Sequence, residues 1–187
     1  LVLLVGTLYG TIASNTAPPN GSEPPTATPT EFSPELFEYL LPSDAQELIN
    51  DPSTPQSKAL KWIQQDDERF QSSYDRMLQR FILATLFFST GGDSWIHNDG
   101  WLSHDDEECN WFAGLDDSDK VLNCLSFEIL HLNYNGLRGT IPKELGLLTS
   151  LREIHLSVNE LTGTFPAHLG NLTSLRQIRL SSNKLSG

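Results

Sequence analysis

The sequence predicts an α/β solenoid of short parallel strands preceded by a helical N-terminal cap, on three observations. "HLNYNGLRGTIPKELGLLTS" from His131 returns at His155 as "HLSVNELTGTFPAHLGNLTS" and at Arg179 as "RLSSNKLSG", an offset of 24 residues throughout. Each copy alternates apolar and polar residues just before an Asn, as a half-buried strand does before a turn. A run with apolar residues at helical spacing precedes the copies and stops at Gly91-Gly92. A fixed period of this size marks units that bury their apolar faces only against their neighbours.

Within one copy, "LREIHLSVNEL" reads L-x-x-I-x-L-x-x-N-x-L. Ile154 and Leu156 form the inward face of a strand, so Glu153, His155 and Ser157 are expected to point outward. The chain turns at Asn159, whose side chain can satisfy backbone groups that the turn leaves unpaired. Stacking the copies puts Asn135, Asn159 and Asn183 in one column, a structural Asn ladder. Leu161, Phe165, Leu169 and Leu172 are expected to fill the interior on the return path, with Gly139 and Gly163 relaxing the backbone near Pro142 and Pro166. The pattern is that of a leucine-rich repeat. The string L-x-G-x-[IF]-P-x-x-L-G-x-L-T-S further resembles the plant-type class found in receptor-like ectodomains, over Phe127 to Gly187.

Charge is unevenly placed. The formal net charge is −12; from Leu125 on there are six Lys/Arg against four Asp/Glu, and the first 124 residues carry six against twenty. An acidic front half excludes the basic footprint that nucleic acid requires, and reads as a solvated acidic surface, with an acidic docking patch as the sharper alternative. The chain does not open on Met, its single Met is Met77, and it stops within a third repeat, so it reads as a piece of a longer protein.

The expected organisation runs in four parts. Residues 1–13, "LVLLVGTLYGTIA", are too few to span a bilayer, which takes about 20 apolar residues. They read as a truncated transmembrane helix or as the core of a signal peptide closing at Ala13. Residues 14–53 are rich in Pro, Ser, Thr and Glu and read as a disordered stalk, with one or two weak helical turns in "PELFEYLLPSDAQELI". Residues 54–124 form the helical cap. Thr54 caps and Pro55 takes the first helical position, and Leu60, Trp62 and Ile63 give a short amphipathic helix. A longer helix follows, with Tyr74, Met77, Leu78, Phe81, Ala84 and Phe88 at helical spacing. Residues 125–187 hold two complete repeats and a truncated third.

Trp95, Trp101 and Trp111 beside Cys109 and Cys124 resemble the N-terminal cap of plant-type repeat ectodomains, with its C-x-W-x-G…C element. Fourteen residues separate the cysteines, more than is usual in that family, so "LDDSDK" looks like a loop insertion. "SKALKWIQQDDERF" and "QRFILATLFFSTGGDSW" are similar to membrane-anchored leucine-rich repeat proteins of unicellular algae. Outside the cytosol two cysteines are most simply a disulfide. Closing a loop of about 15 residues is worth on the order of 3 kcal/mol. A metal reading would need more ligands than His97 and His104 supply at suitable spacing; no metal and no cofactor is expected.

The chemistry-bearing positions lie on the outward strand faces. The columns are Ile129, Glu153, Gln177; His131, His155, Arg179; and Asn133, Ser157, Ser181. The middle column could meet an anionic or sugar-acid ligand as its histidines protonate below about pH 6.5; a solvated polar surface is the plain alternative. Candidate ligand-binding residues are therefore His131, His155, Arg179, Glu153, Asn133 and Ser157. Asn20 and Asn171 head N-glycosylation sequons. The acidic run Asp105–Glu108 beside His104 offers acid–base groups in a loop whose residues point in divergent directions, and no nucleophile elbow, phosphate loop or metal triad is present. A non-catalytic extracellular module that binds a protein, peptide or glycan ligand, anchored to the membrane through the N-terminal segment or else secreted, is the expectation. The alternatives are the ectodomain of a receptor-like kinase and a structural adhesion or cell-wall protein.

Overall fold

The computed structural model describes residues 41–65, 74–104, 108, 111 and 127–186. Among the described residues three helices come first: α1 (Ser43–Ile49), α2 (Pro55–Gln64) and α3 (Tyr74–Ser89). Five short strands follow: β1 (Ile129–His131), β2 (Arg138–Thr140), β3 (Glu153–His155), β4 (Glu160–Thr162) and β5 (Gln177–Arg179). Each of the pairs β1–β2 and β3–β4 is followed by a 3-10 turn, Lys143–Leu147 and Ala167–Asn171.

Helix α2 begins where Thr54 Oγ1 accepts the Ser57 N–H at 3.1 Å, with Pro55 behind it. The same hydroxyl donates to the Leu48 carbonyl at 2.6 Å, which ties α1 to α2. Leu41 and Ala45 are buried in the common core. The stretch read as a stalk over 14–53 thus holds, at its C-terminal end, a packed helix. One turn of apolar spacing is weak by itself, but it becomes worth about 1.5–3 kcal/mol per buried side chain once another helix covers it.

Helix α3 is central rather than one-sided. Met77, Phe81 and Ala84 of the expected stripe are buried, but so are Gln79, Arg80, Ile82, Leu83 and Thr85 to Phe87. Neighbours surround it, with α2 on one side and the first repeat beyond. The Arg80 guanidinium lies over the rings of Trp62 at 4.9 Å and Trp111 at 5.0 Å, and its Nη1 stands 3.2 Å from Glu108 Oε2. Gln79 donates to Glu108 Oε1 at 2.8 Å. Glu108, expected in an exposed acidic run, is fully buried. Burying a carboxylate alone is prohibitive, and the guanidinium and amide beside it make this placement tolerable. His104 stacks on Trp62 at 5.1 Å, which takes it into the packed unit as well.

Gly91, at φ +70, ends α3 in the left-handed region. Trp95 then donates from its indole to the Thr90 carbonyl at 3.0 Å and meets Phe87 and Trp101 edge-on.

The remainder is a repeat fold with two parallel sheets, β1-β3-β5 and β2-β4. Register pairs Leu130 with Ile154 and Ile154 with Ile178, one step of the period at a time. The strands are only three residues long, so the apolar rows between them supply most of the cohesion. Arg138 N–H donates to the Thr90 carbonyl at 2.9 Å and Ile96 N–H to the Asn135 carbonyl at 3.0 Å, joining the helical unit to the first repeat. The backbones come so close here that a Cβ on Gly139, at φ +96, would lie 2.3 Å from the Ser89 carbonyl oxygen.

Leu161, Leu169 and Leu172 are buried as expected, but Phe165 is 40% exposed where its counterpart Ile141 is 4% exposed. The same step separates Ile154, at 1%, from Ile178, at 41%. Ile154 lies beside Ile178 of the next strand, which covers it. Residues 1–13, Asn20, Cys109 and Cys124 lie outside the described residues. Among the described residues no helix is long and apolar enough to cross a membrane.

Candidate functional site

Parallel pairing sets the outward residues of β1, β3 and β5 side by side. Ile129, Glu153 and Gln177 align, as do His131, His155 and Arg179. Beyond the strands, Asn133 Oδ1 accepts the Ser157 N–H at 2.7 Å, and Ser181 Oγ donates to Ser157 Oγ at 3.1 Å. The six candidate residues therefore occupy one continuous face.

Their electrostatics differ from a simple cationic column. His155 was expected to face solvent; instead it is 8% exposed, with its ring 5.2 Å from that of His131 and nearly perpendicular to it. It sits on the middle strand of three, so side chains of the flanking strands cover it from both sides. His155 Nε2 is 3.1 Å from Glu153 Oε2, within ion-pair distance but not aligned for a hydrogen bond. His131 Nε2 lies 2.9 Å from the Asn133 amide nitrogen. With its amide oxygen turned toward the guanidinium, Gln177 accepts from Arg179 Nη2 at 3.0 Å and Nε at 3.1 Å, and donates to Glu153 Oε2 at 3.3 Å. Glu153 is thus shared between Gln177 and His155, and the face mixes donors with acceptors.

Gln177 belongs to the face as fully as Glu153, and its place one period on from Glu153 is the signal that names it. A fourth column escaped sequence reasoning. Tyr134, Val158 and Ser182 occupy equivalent positions at φ +55, +57 and +58. The sharp turn falls on the residue before each ladder Asn, and it throws the Tyr134 and Val158 side chains outward. Tyr134 is 67% exposed, and Ile96 of the helical unit is equally exposed. Their 24-residue spacing was visible, but the left-handed backbone that exposes a Tyr and a Val was not.

The ladder residues hold this face in place. Asn159 Nδ2 donates to the Leu132 carbonyl at 2.8 Å and the Leu156 carbonyl at 2.9 Å. Asn183 repeats the pattern, to Leu156 at 2.8 Å and Leu180 at 3.0 Å. Asn135, first in the column, turns to the helical unit instead: its Oδ1 accepts the His97 N–H at 2.6 Å. Away from this face, Glu160 lies between Arg138 at 3.1 Å and Lys184 at 2.9 Å. Hydrogen bonds from Lys184 and Arg138 hold its carboxyl below the usual range. Asn171 is exposed at the end of its 3-10 turn.

Residues 126–185 match the family model described as Leucine rich repeat. No curated protein matches the chain. Among solved structures, the crystal structure of PEPR1-AtPEP1 is similar over 56% of this chain, at 28% sequence identity and a TM-score of 0.42. The match takes in 14% of that chain, so the present sequence corresponds to a small part of its length.

Proposed function

We propose that the chain is a non-catalytic extracellular recognition module, a leucine-rich repeat solenoid that binds a protein, peptide or glycan ligand on the face formed by β1, β3 and β5. The observation that carries the reading is the unbroken polar face running from His131 and Asn133 through Glu153, His155 and Ser157 to Arg179. Its neighbours Tyr134 and Val158 add exposed apolar surface, a combination suited to partners with both polar and apolar groups. Mixed donors and acceptors favour a peptide backbone or a sugar over a purely anionic ligand. In this reading residues 1–13 anchor the protein, and Cys109 and Cys124 are paired outside the cytosol.

The test is a screen of the disulfide-intact protein against arrays of synthetic peptides and oligosaccharides. The strongest hits are then titrated against His131→Ala/His155→Ala and Arg179→Ala. Loss of affinity by tenfold or more in either variant supports the assignment. Binding that is unchanged in both variants, and flat between about pH 5 and 7.5 where histidine changes charge, removes it.

A further inference from the structure

The helical unit continues the column of Tyr134 and Val158. His97 N–H donates to Asn135 Oδ1 just as Asn135 N–H donates to Asn159 Oδ1, so His97 takes a ladder place and Ile96 the place before it. Ile96, Tyr134 and Val158 therefore form one ridge across the junction of the helical unit with the repeats. Tyr134 and Val158 each have a column neighbour on both sides, yet they are 67% and 38% exposed. Both also stand in the left-handed region, at φ +55 and +57, which is unfavourable for a bulky or β-branched residue and easier for Asn or Gly. Ser182 fills the same turn at φ +58, so the turn itself does not ask for an apolar side chain. The ridge is apolar against both backbone preference and solvent, which points to a contact made outside the chain.

Its pitch selects the partner. Neighbouring strands lie about 4.8 Å apart, so three members span about 10 Å. Helix residues i, i+3 or i+4, and i+7 share a face and span about 10.5 Å. Same-face residues i, i+2 and i+4 of an extended strand span about 13 Å and fall out of step by the third side chain. Ile96 and Val158 have no polar side-chain atom, so what they meet is apolar rather than a sugar. Charge fixes one end. Asp93 and Asp99 are exposed in the loop that bears Ile96, a loop held tight where Asn98 Nδ2 donates to the Gly92 carbonyl at 3.1 Å. Carboxylates there attract a basic partner and repel an anionic lipid surface.

We infer that the ridge Ile96–Tyr134–Val158 docks an amphipathic helix of a partner protein, with its apolar stripe along the ridge and Lys or Arg at the end over Asp93 and Asp99. The inference goes beyond the recognition face proposed above: it brings the helical unit into the contact and commits the ridge to one kind of partner.

The experiment titrates the full chain by fluorescence anisotropy with a labelled, stapled helical peptide of about four turns. The peptide carries Leu at i, i+4 and i+7 and two Lys at one end; a stapled control of equal composition has its Leu residues spread around the helix. Saturable binding of the striped peptide, about tenfold tighter than the control, is the expected result. Tyr134→Asn/Val158→Asn should weaken it about tenfold or more while melting no lower than the parent, because Asn suits the left-handed turn. Ile96→Ser and Asp93→Asn/Asp99→Asn should each weaken it about threefold or more. No saturation up to about 1 mM peptide, equal binding of the two peptides, or full binding by Tyr134→Asn/Val158→Asn overturns the inference and leaves the recognition face standing. Unchanged binding by Ile96→Ser overturns the part assigned to the helical unit.

Discussion

Asn159 Oδ1 accepts the backbone N–H of Asn135 at 3.0 Å, joining two residues one full repeat apart. The same oxygen accepts the Leu137 N–H at 3.1 Å, so one carboxamide serves two donors of one repeat and, through its nitrogen, carbonyls of both. Removing it strands several buried backbone groups at about 1–3 kcal/mol each, part of which water recovers. Asn159→Ala is expected to lower stability by about 3 kcal/mol in urea unfolding, and Asn183→Ala by half of that or less, because Asn183 is already partly open to solvent. Equal losses at the two positions would show that the buried bonds carry no special weight.

Gly146 is expected to resist any side chain. A methyl group there would lie 2.3 Å from the His168 carbonyl oxygen, backbone that cannot step aside. Gly146→Ala should therefore cost about 2 kcal/mol or more as the two turns are forced apart, whereas Ser150→Ala, at an exposed position nearby, should fall within about 0.5 kcal/mol of the parent. Paired denaturation midpoints check this directly.

Tyr74 opens α3 with its phenol pushed up to about 12, first by burial and then by the Asp75 carboxylate beside it. The raised value means that the folded state holds its proton more tightly than the unfolded chain does. The resulting stability is present in full below about pH 10, the unfolded value, and is lost as pH rises through about 12. A rise from about 10 to about 12 corresponds to about 2–3 kcal/mol as an upper bound. Between about pH 10 and 12 the parent is expected to lose stability more steeply than Tyr74→Phe, which keeps the ring and drops the titration. Parallel slopes for the two proteins would refute it.

The repeat was legible because its period fixes which residues pair. Strand positions, the turns at Asn135 and Asn159, and the Thr54-Pro55 helix start follow from local chemistry that repeats or caps in plain view. What escaped depends on neighbours that a single copy does not contain. His155 was assigned to solvent from its alternation with Ile154, yet a middle strand is flanked on both sides. Phe165 was assigned to the interior from its place on the return path, yet it is 40% exposed. Arg80 and Glu108 resemble any surface charges in the sequence, and their burial against Trp62 and Trp111 exists only once the helical unit is assembled. The candidate face was legible as columns. Its internal pairing through Gln177 was not, because that depends on which side-chain ends touch.

The backbone junction between the end of α3 and the first repeat has a mechanical side. Arg138 N–H on the Thr90 carbonyl and Ile96 N–H on the Asn135 carbonyl join the two by main chain, which side-chain rotation cannot loosen, and Gly139 lets the backbones touch. A load taken up on the β1-β3-β5 face would pass into α3 as through a rigid coupling rather than a hinge. A partner held on β1 would in effect be held by the helical unit as well.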